Sequence, residues 1–219
     1  MNLKQILIKI YRKYAICFNR MPFLNKIKCK GKGNQFKLNK PMIRNKIVCN
    51  GNNNRIILLP GGGLDRCVFL ITGDNNTVII GAKASAICAT ICIEDSGNSI
   101  VIGDNSNLCG EILLAACEGT SIEIGEDILA SSHVELRTSD SHAIYNERYE
   151  RINLAKSIHI GKHVWIGNGV RINKGVSIGD GSIIGNGSVV TREFKSENVI
   201  IAGNPAKIVK EQIRWSKNR

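Results

Sequence analysis

The segment TSDSHAIYNERYERIN, beginning at Thr138, gathers one His, two Tyr, three carboxylates and two Arg between residues 138 and 151. His142 stands in Ser-Asp-Ser-His, two residues after Asp140. Imidazole is the side chain that most readily exchanges a proton near neutral pH, and of the four His residues His142 is the best placed to do so in a reaction. His133 reads as an exposed turn residue or a substrate contact. His159 and His163 flank Ile160 and read as outward, solvated or hydrogen-bonded groups. Trp165 lies between Val164 and Ile166, two positions that face a core. Alternation along a strand therefore turns the indole outward, towards either a subunit interface or a binding site.

The elements that position these residues are written in a period of six. Ile160, Ile166, Ile172, Ile178, Ile184 and Val190 recur in phase. A short strand followed by a sharp corner makes one face of a prism, and three faces make a coil. The aliphatics at the block heads point inward, joined by Val164, Val170, Val176, Ser182 and Ser188 four positions later. Upstream, NRIIL, NTVII, NSIVI and TSIEI recur every 22 residues, with Gly and Asn at the turns between them. The same phase carried past Leu136 would bury His142 and Arg148, and an unpaired buried Arg is too costly to accept. The chain is thus expected to leave the stack as a loop over about residues 137–157, and a long loop on a rigid scaffold tends to be functional.

The formal charge of +12 is uneven, for residues 1–46 hold 13 Lys or Arg and no acid, against 17 basic and 18 acidic residues after them. Residues 1–46 are read as a basic arm, helical in part, because Leu3, Leu7, Ile10, Tyr14 and Cys17 fall at spacings of three and four. Such a helix packs on its own domain or a sister subunit, or touches anionic lipid or polymer. The solenoid is expected from 47 to 203. Asn204 as N-cap and Pro205 at the first helical position predict a C-terminal helix over 204–219, packing through Val209 and Ile213. The eight Cys show no zinc-type spacing and read as structural thiols of a cytoplasmic protein. No segment approaches the length of an apolar membrane span. Nucleic-acid binding is excluded, since the excess charge is confined to the arm and aromatics are scarce.

The hexad blocks, with Thr138-x-Asp140-x-His142 shortly before VWIG (164–167) and GNPAK (203–207), resemble the hexapeptide-repeat acyltransferases. Within them the chain is most similar to enzymes that O-acetylate capsule, lipopolysaccharide or sialic-acid-containing glycans. The resemblance implies an all-β, left-handed parallel β-helix, usually a homotrimer with sites between subunits. It implies acetyl-CoA as co-substrate, no metal, and His142 as general base towards a sugar hydroxyl. Asp140 either orients the ring or caps the turn, and Trp165 lines the site. Gly169 and Gly187 would form a smooth wall for the pantetheine arm, while Lys174, Arg192 and Lys207 are the candidate cations for CoA phosphates. Asn204, Pro205 and Lys207 match positions that lie near CoA in the family. Tyr145 and Tyr149 offer flat surfaces to a sugar, and Arg148 and Arg151 offer charge to its carboxylates, unless they serve only to pin the loop.

Three rival readings follow from the same residues. A γ-type carbonic anhydrase needs three His on zinc, and HIGKH supplies two. A sister acetyltransferase would act on a small amino sugar, serine or antibiotic. A non-catalytic β-helix scaffold would bind no acetyl-CoA.

Overall fold

The computed structural model describes residues 24–218, and among them all regular structure is β-strand. The expected helix over 1–20 lies outside the described residues. Parallel strands stack into a three-faced solenoid. One face is a seven-stranded sheet running from Gln35–Leu38 through Arg55–Leu58, Thr77–Ile80, Ser99–Ile102, Ser121–Ile124 and Ile158–Ile160 to Ser177–Ile178. Its inward column is Ile56, Val78, Ile100, Ile122 and Ile158, in register and almost fully buried.

The other two faces belong to a single sheet, because Ser85–Ile93 and Asn107–Ala116 each run across the corner between them. Asn107–Ala116 pairs first with Leu129–Ala130 and then with Val134–Arg137. The corner needs Gly110, whose φ is +93°; a Cβ there would sit 2.4 Å from the Ser132 hydroxyl oxygen. In the later coils the register tightens to Ile160↔Ile178 and Ile166↔Ile184, eighteen residues apart. Every position assigned inward by the period of six, from Ile160 to Val190, is buried, including Ser182 and Ser188.

The corner asparagines do more than turn the chain. Asn54, Asn76 and Asn98 are buried and form a ladder 22 residues in step. Asn34 Oδ1 accepts from the Asn54 N–H, Asn54 Oδ1 from Asn76, Asn76 Oδ1 from Asn98, and Asn98 Oδ1 from Thr120, at 2.8–2.9 Å. Each rung satisfies a backbone donor, and those of Asn54, Asn76 and Asn98 belong to buried residues.

Two boundaries differ from expectation. The described part of the basic arm is solenoid, with Asn25–Lys30 pairing in parallel with Asn45–Asn50. Lys26, Lys28 and Lys30 on this strand are exposed and carry positive charge on the outside of the first coils. The C-terminal helix does not form. Ile200–Gly203 turns through a cis Asn204–Pro205 bond and pairs antiparallel with Ala206–Lys210, which satisfies the backbone as sheet. Val209 is exposed rather than packed, and residues 211–218 continue as an extended strap.

Candidate active site: a pinned loop on the solenoid wall

Strand Val134–Arg137 ends and Ile158–Ile160 resumes the stack directly on Ser121–Ile124, so the chain between leaves the prism. Its base closes where Lys156 N–H donates to Thr138 O at 2.9 Å. Thr138 is buried, and its hydroxyl oxygen accepts from Cys117 N–H (3.2 Å) while lying 2.7 Å from that of Thr120. His142 and Arg148 are exposed, as the cost of burying them requires.

The backbone around His142 is held by Asn153, a residue that sequence reasoning missed. This nearly buried amide donates to Asp140 Oδ2 at 2.9 Å and to His142 O at 2.7 Å, and accepts from Ile144 N–H at 2.7 Å. Asp140 O in turn accepts from His142 N–H at 2.8 Å. The Asp140 carboxylate faces Lys174 and Asn153, not the imidazole. Hydrogen bonds from Lys174 and then Asn153 hold its carboxyl below the usual carboxylate range. Lys174, considered from sequence for CoA phosphates, is thereby committed to the loop; it also donates to Asn153 O at 3.0 Å. Among the described residues nothing hydrogen-bonds the His142 imidazole. A fixed backbone thus presents this imidazole to solvent.

Arg151 pins the loop from its other end, donating to Glu118 Oε1 at 2.7 Å, where the Ser139 hydroxyl also donates at 3.0 Å. Arg151 and then Ser139 lower the Glu118 pKa. Arg148 has no such acid; its own N–H donates to Asn146 Oδ1, which also takes the Glu150 N–H, and this closes a small hairpin. At the tip Tyr145 and Tyr149 stack with centroids 5.7 Å apart, and Tyr149 is 85% exposed. The loop therefore offers an aromatic surface and, among the described residues, one unpaired guanidinium. Ser139, Asp140, Ser141 and Lys174 line a cavity of about 290 Å3 with Arg137 and Asn173.

On the solenoid wall Trp165 points outward, 38% exposed, in register with Leu129 and Ile183. Gly169 and Gly187 stack one coil apart at a corner, and a Cβ on Gly187 would meet nothing within 4 Å, leaving an open track. Arg192 and Lys207 line one cleft of about 510 Å3 with Phe194, over whose ring the Arg192 guanidinium sits at 5.2 Å. Two cations converging on one groove suit phosphate. Asn204 and Pro205 form the exposed turn that leads into this groove.

The other His residues are engaged. His133 pairs with Glu111 at 3.0 Å and His159 with Glu123 at 3.5 Å. His163 lies 2.6 Å from Asp127 and stacks on Trp215. Among the described residues no three His, Cys, Asp or Glu side chains converge as metal ligands.

The family model for bacterial transferase hexapeptide (six repeats) matches residues 157–192. No curated protein matches the sequence. Among solved structures, the polySia specific acetyltransferase NeuO is 35% identical over 89% of each chain, with a TM-score of 0.80. The polysialic acid O-acetyltransferase OatWY is 28% identical over 89% of each chain, with a TM-score of 0.44. A galactoside acetyltransferase in complex with coenzyme A is 30% identical over 55% of this chain and 58% of its own, with a TM-score of 0.43.

Proposed function

The chain belongs to the bacterial hexapeptide transferase family, and from that premise we propose that it is an acetyl-CoA-dependent O-acetyltransferase acting on an anionic polysaccharide of the polysialic acid type. The observation that supports this best is the extruded loop, which pins the backbone of His142 and leaves its side chain without a hydrogen bond among the described residues. The relative NeuO is a polySia specific acetyltransferase over nearly the same length of chain.

In this reading the His142 imidazole removes the proton of a sugar hydroxyl as that oxygen attacks the acetyl carbonyl of the thioester. The new C–O bond forms, the C–S bond breaks, and the proton passes from His142 to the departing thiolate. Asp140 acts on His142 through Asn153 and the backbone. The oxyanion takes its donors from backbone N–H groups at the coil corners or from the Trp165 indole N–H. Arg192 and Lys207 hold CoA phosphates, with the pantetheine arm on the Gly169–Gly187 track. Tyr145, Tyr149 and Arg148 receive the acceptor. The coils wind left-handed, and three subunits share the sites, in a cytoplasmic enzyme whose N-terminal segment touches an anionic membrane or polymer.

Labelled acetyl-CoA incubated with polysialic acid tests the reading, with His142→Ala as control. Transfer at full rate by His142→Ala would sink the mechanism. Transfer only to small amino sugars, serine or an antibiotic would move the acceptor to the sister class.

A further inference from the structure

The C-terminal strap makes contacts that the expected helix could not have made. From residue 211 to 218 it runs extended, with Ile213, Trp215 and Lys217 half-buried and the residues between them exposed. Its entry is fixed by Ile213 N–H donating to Asn198 O at 2.9 Å. The Trp215 indole then lies on the His163 imidazole, centroids 4.1 Å apart and planes 13° from parallel. Trp215 Nε1 donates to His163 O at 3.0 Å, and His163 Nε2 lies 3.2 Å from Trp215 O. The other ring nitrogen lies 2.6 Å from Asp127 Oδ2, while Lys217 donates to Asp127 Oδ1 at 2.6 Å and to Asn105 O at 3.1 Å. Five polar contacts thus clamp three residues of the tail onto four coils of the wall. Partial burial opposes the charge on Asp127, yet hydrogen bonds from Lys217 and His163 keep its carboxyl below the usual range.

The clamp ends at Trp165. The two indoles are 6.0 Å apart at an interplanar angle of 41°, within the range of favourable aromatic pairs. Strap residues Ser216, Lys217 and Asn218 close a cavity of about 280 Å3, whose wall side includes Leu129, Ser131 and Trp165. An outward Trp on an open strand has several staggered positions available. One flanked by a second, clamped indole has fewer.

We propose that the strap forms the outer wall of the cleft at Trp165, and that Trp215 is a positioning residue that fixes the Trp165 indole for acyl transfer. The inference rests on the reading that Trp165 lines the transfer site. Trp215 touches no reacting atom; it acts through Trp165, and His163, Asp127 and Lys217 act through Trp215. The solenoid core lies inside the prism and does not depend on the strap, so replacing Trp215 leaves the coils folded.

The chain contains two Trp residues, Trp165 and Trp215, so near-ultraviolet circular dichroism reads this pair directly. Trp215→Leu is expected to abolish the coupled indole signal, as Trp165→Phe does, with a melting temperature close to that of the parent. It is expected to lower kcat about 2- to 10-fold, the size of one aromatic contact, while KM for acetyl-CoA moves little. Trp215→Phe, which keeps a ring in place, retains most of kcat. Parental kcat in Trp215→Leu beside a reduced kcat in Trp165→Phe overturns the positioning role alone. Parental kcat in Trp165→Phe overturns the reading of Trp165 beneath it.

Discussion

Replacing Asn153 by Ala removes the pin that holds the His142 loop while leaving His142 itself untouched. Beside a long hydrogen bond from Arg151 Nε at 3.4 Å, three short ones hold the loop, one to the Asp140 carboxylate and two to the backbone of His142 and Ile144. A hydrogen bond to a charged group contributes about 1.5–3 kcal/mol and a neutral one about 1 kcal/mol, so the set is worth at most about 5 kcal/mol. That loss is local. The loop base still closes between Lys156 and Thr138, and Arg151 still meets Glu118, so the prism keeps its own stability. A correctly placed general base contributes about 10²- to 10⁴-fold to a rate. Loosening its backbone without removing it should therefore cost about 10- to 100-fold in kcat. Initial rates of labelled acetyl transfer to polysialic acid, set against a thermal melt of the same preparation, measure the two effects separately. Asn153→Asp should be no better than Ala, since it turns the donor facing Asp140 into a second acceptor. A parental rate in Asn153→Ala, with His142→Ala inactive, would refute the claim that this amide positions the base.

The two kinds of cation at the site should separate kinetically. Arg192→Ala and Lys207→Ala should raise KM for acetyl-CoA several-fold with little effect on kcat, whereas Lys174→Ala should lower kcat by releasing Asp140; equal effects on KM from all three would contradict the assignment. In the ladder, Asn76→Ala strands the Asn98 N–H and the Asp95 carbonyl, and should cost about 2–5 kcal/mol in denaturant unfolding; a loss below about 1 kcal/mol would show that water reaches the corner. Lys40 is fully buried and donates to Gly61 O and Ala84 O, and desolvation brings its pKa from 10.5 to about 8 despite Asp104. Between those values the unfolded chain holds the proton and the folded chain does not, so the contribution of this group to stability rises with pH through that window. Buried Cys49 and Cys67, raised to about 11, work in the opposite direction above pH 9. The contribution of Lys40 is therefore read as the parent's gain over Lys40→Met between about pH 8 and about pH 10.5, and parallel stability curves would refute it.

How much of this was legible in the letters depends on how far each signal reaches along the chain. The prism was legible because its inward residues repeat at fixed steps, and a repeat carries its own register; Ile160 to Val190 are all buried where the period of six requires. The loop was legible by the same rule broken, since the phase would have driven Arg148 into an apolar core. Asn153 was not legible. Its partners lie 9 to 13 residues back on the returning arm of a hairpin, and no spacing in the sequence says which Asn of a loop turns inward. The tail was misread for a more instructive reason. Asn204, Pro205, Val209 and Ile213 satisfy the rules for a helix start and one helical face, yet Ile213, Trp215 and Lys217 equally satisfy period two. Local propensity left both open, and the choice was made by what the extended chain can reach: an unpaired edge at Ile200–Gly203, then His163 and Asp127 on the wall. A helix from Asn204 would have given up the antiparallel pairing at that edge and the clamp against Trp165 together.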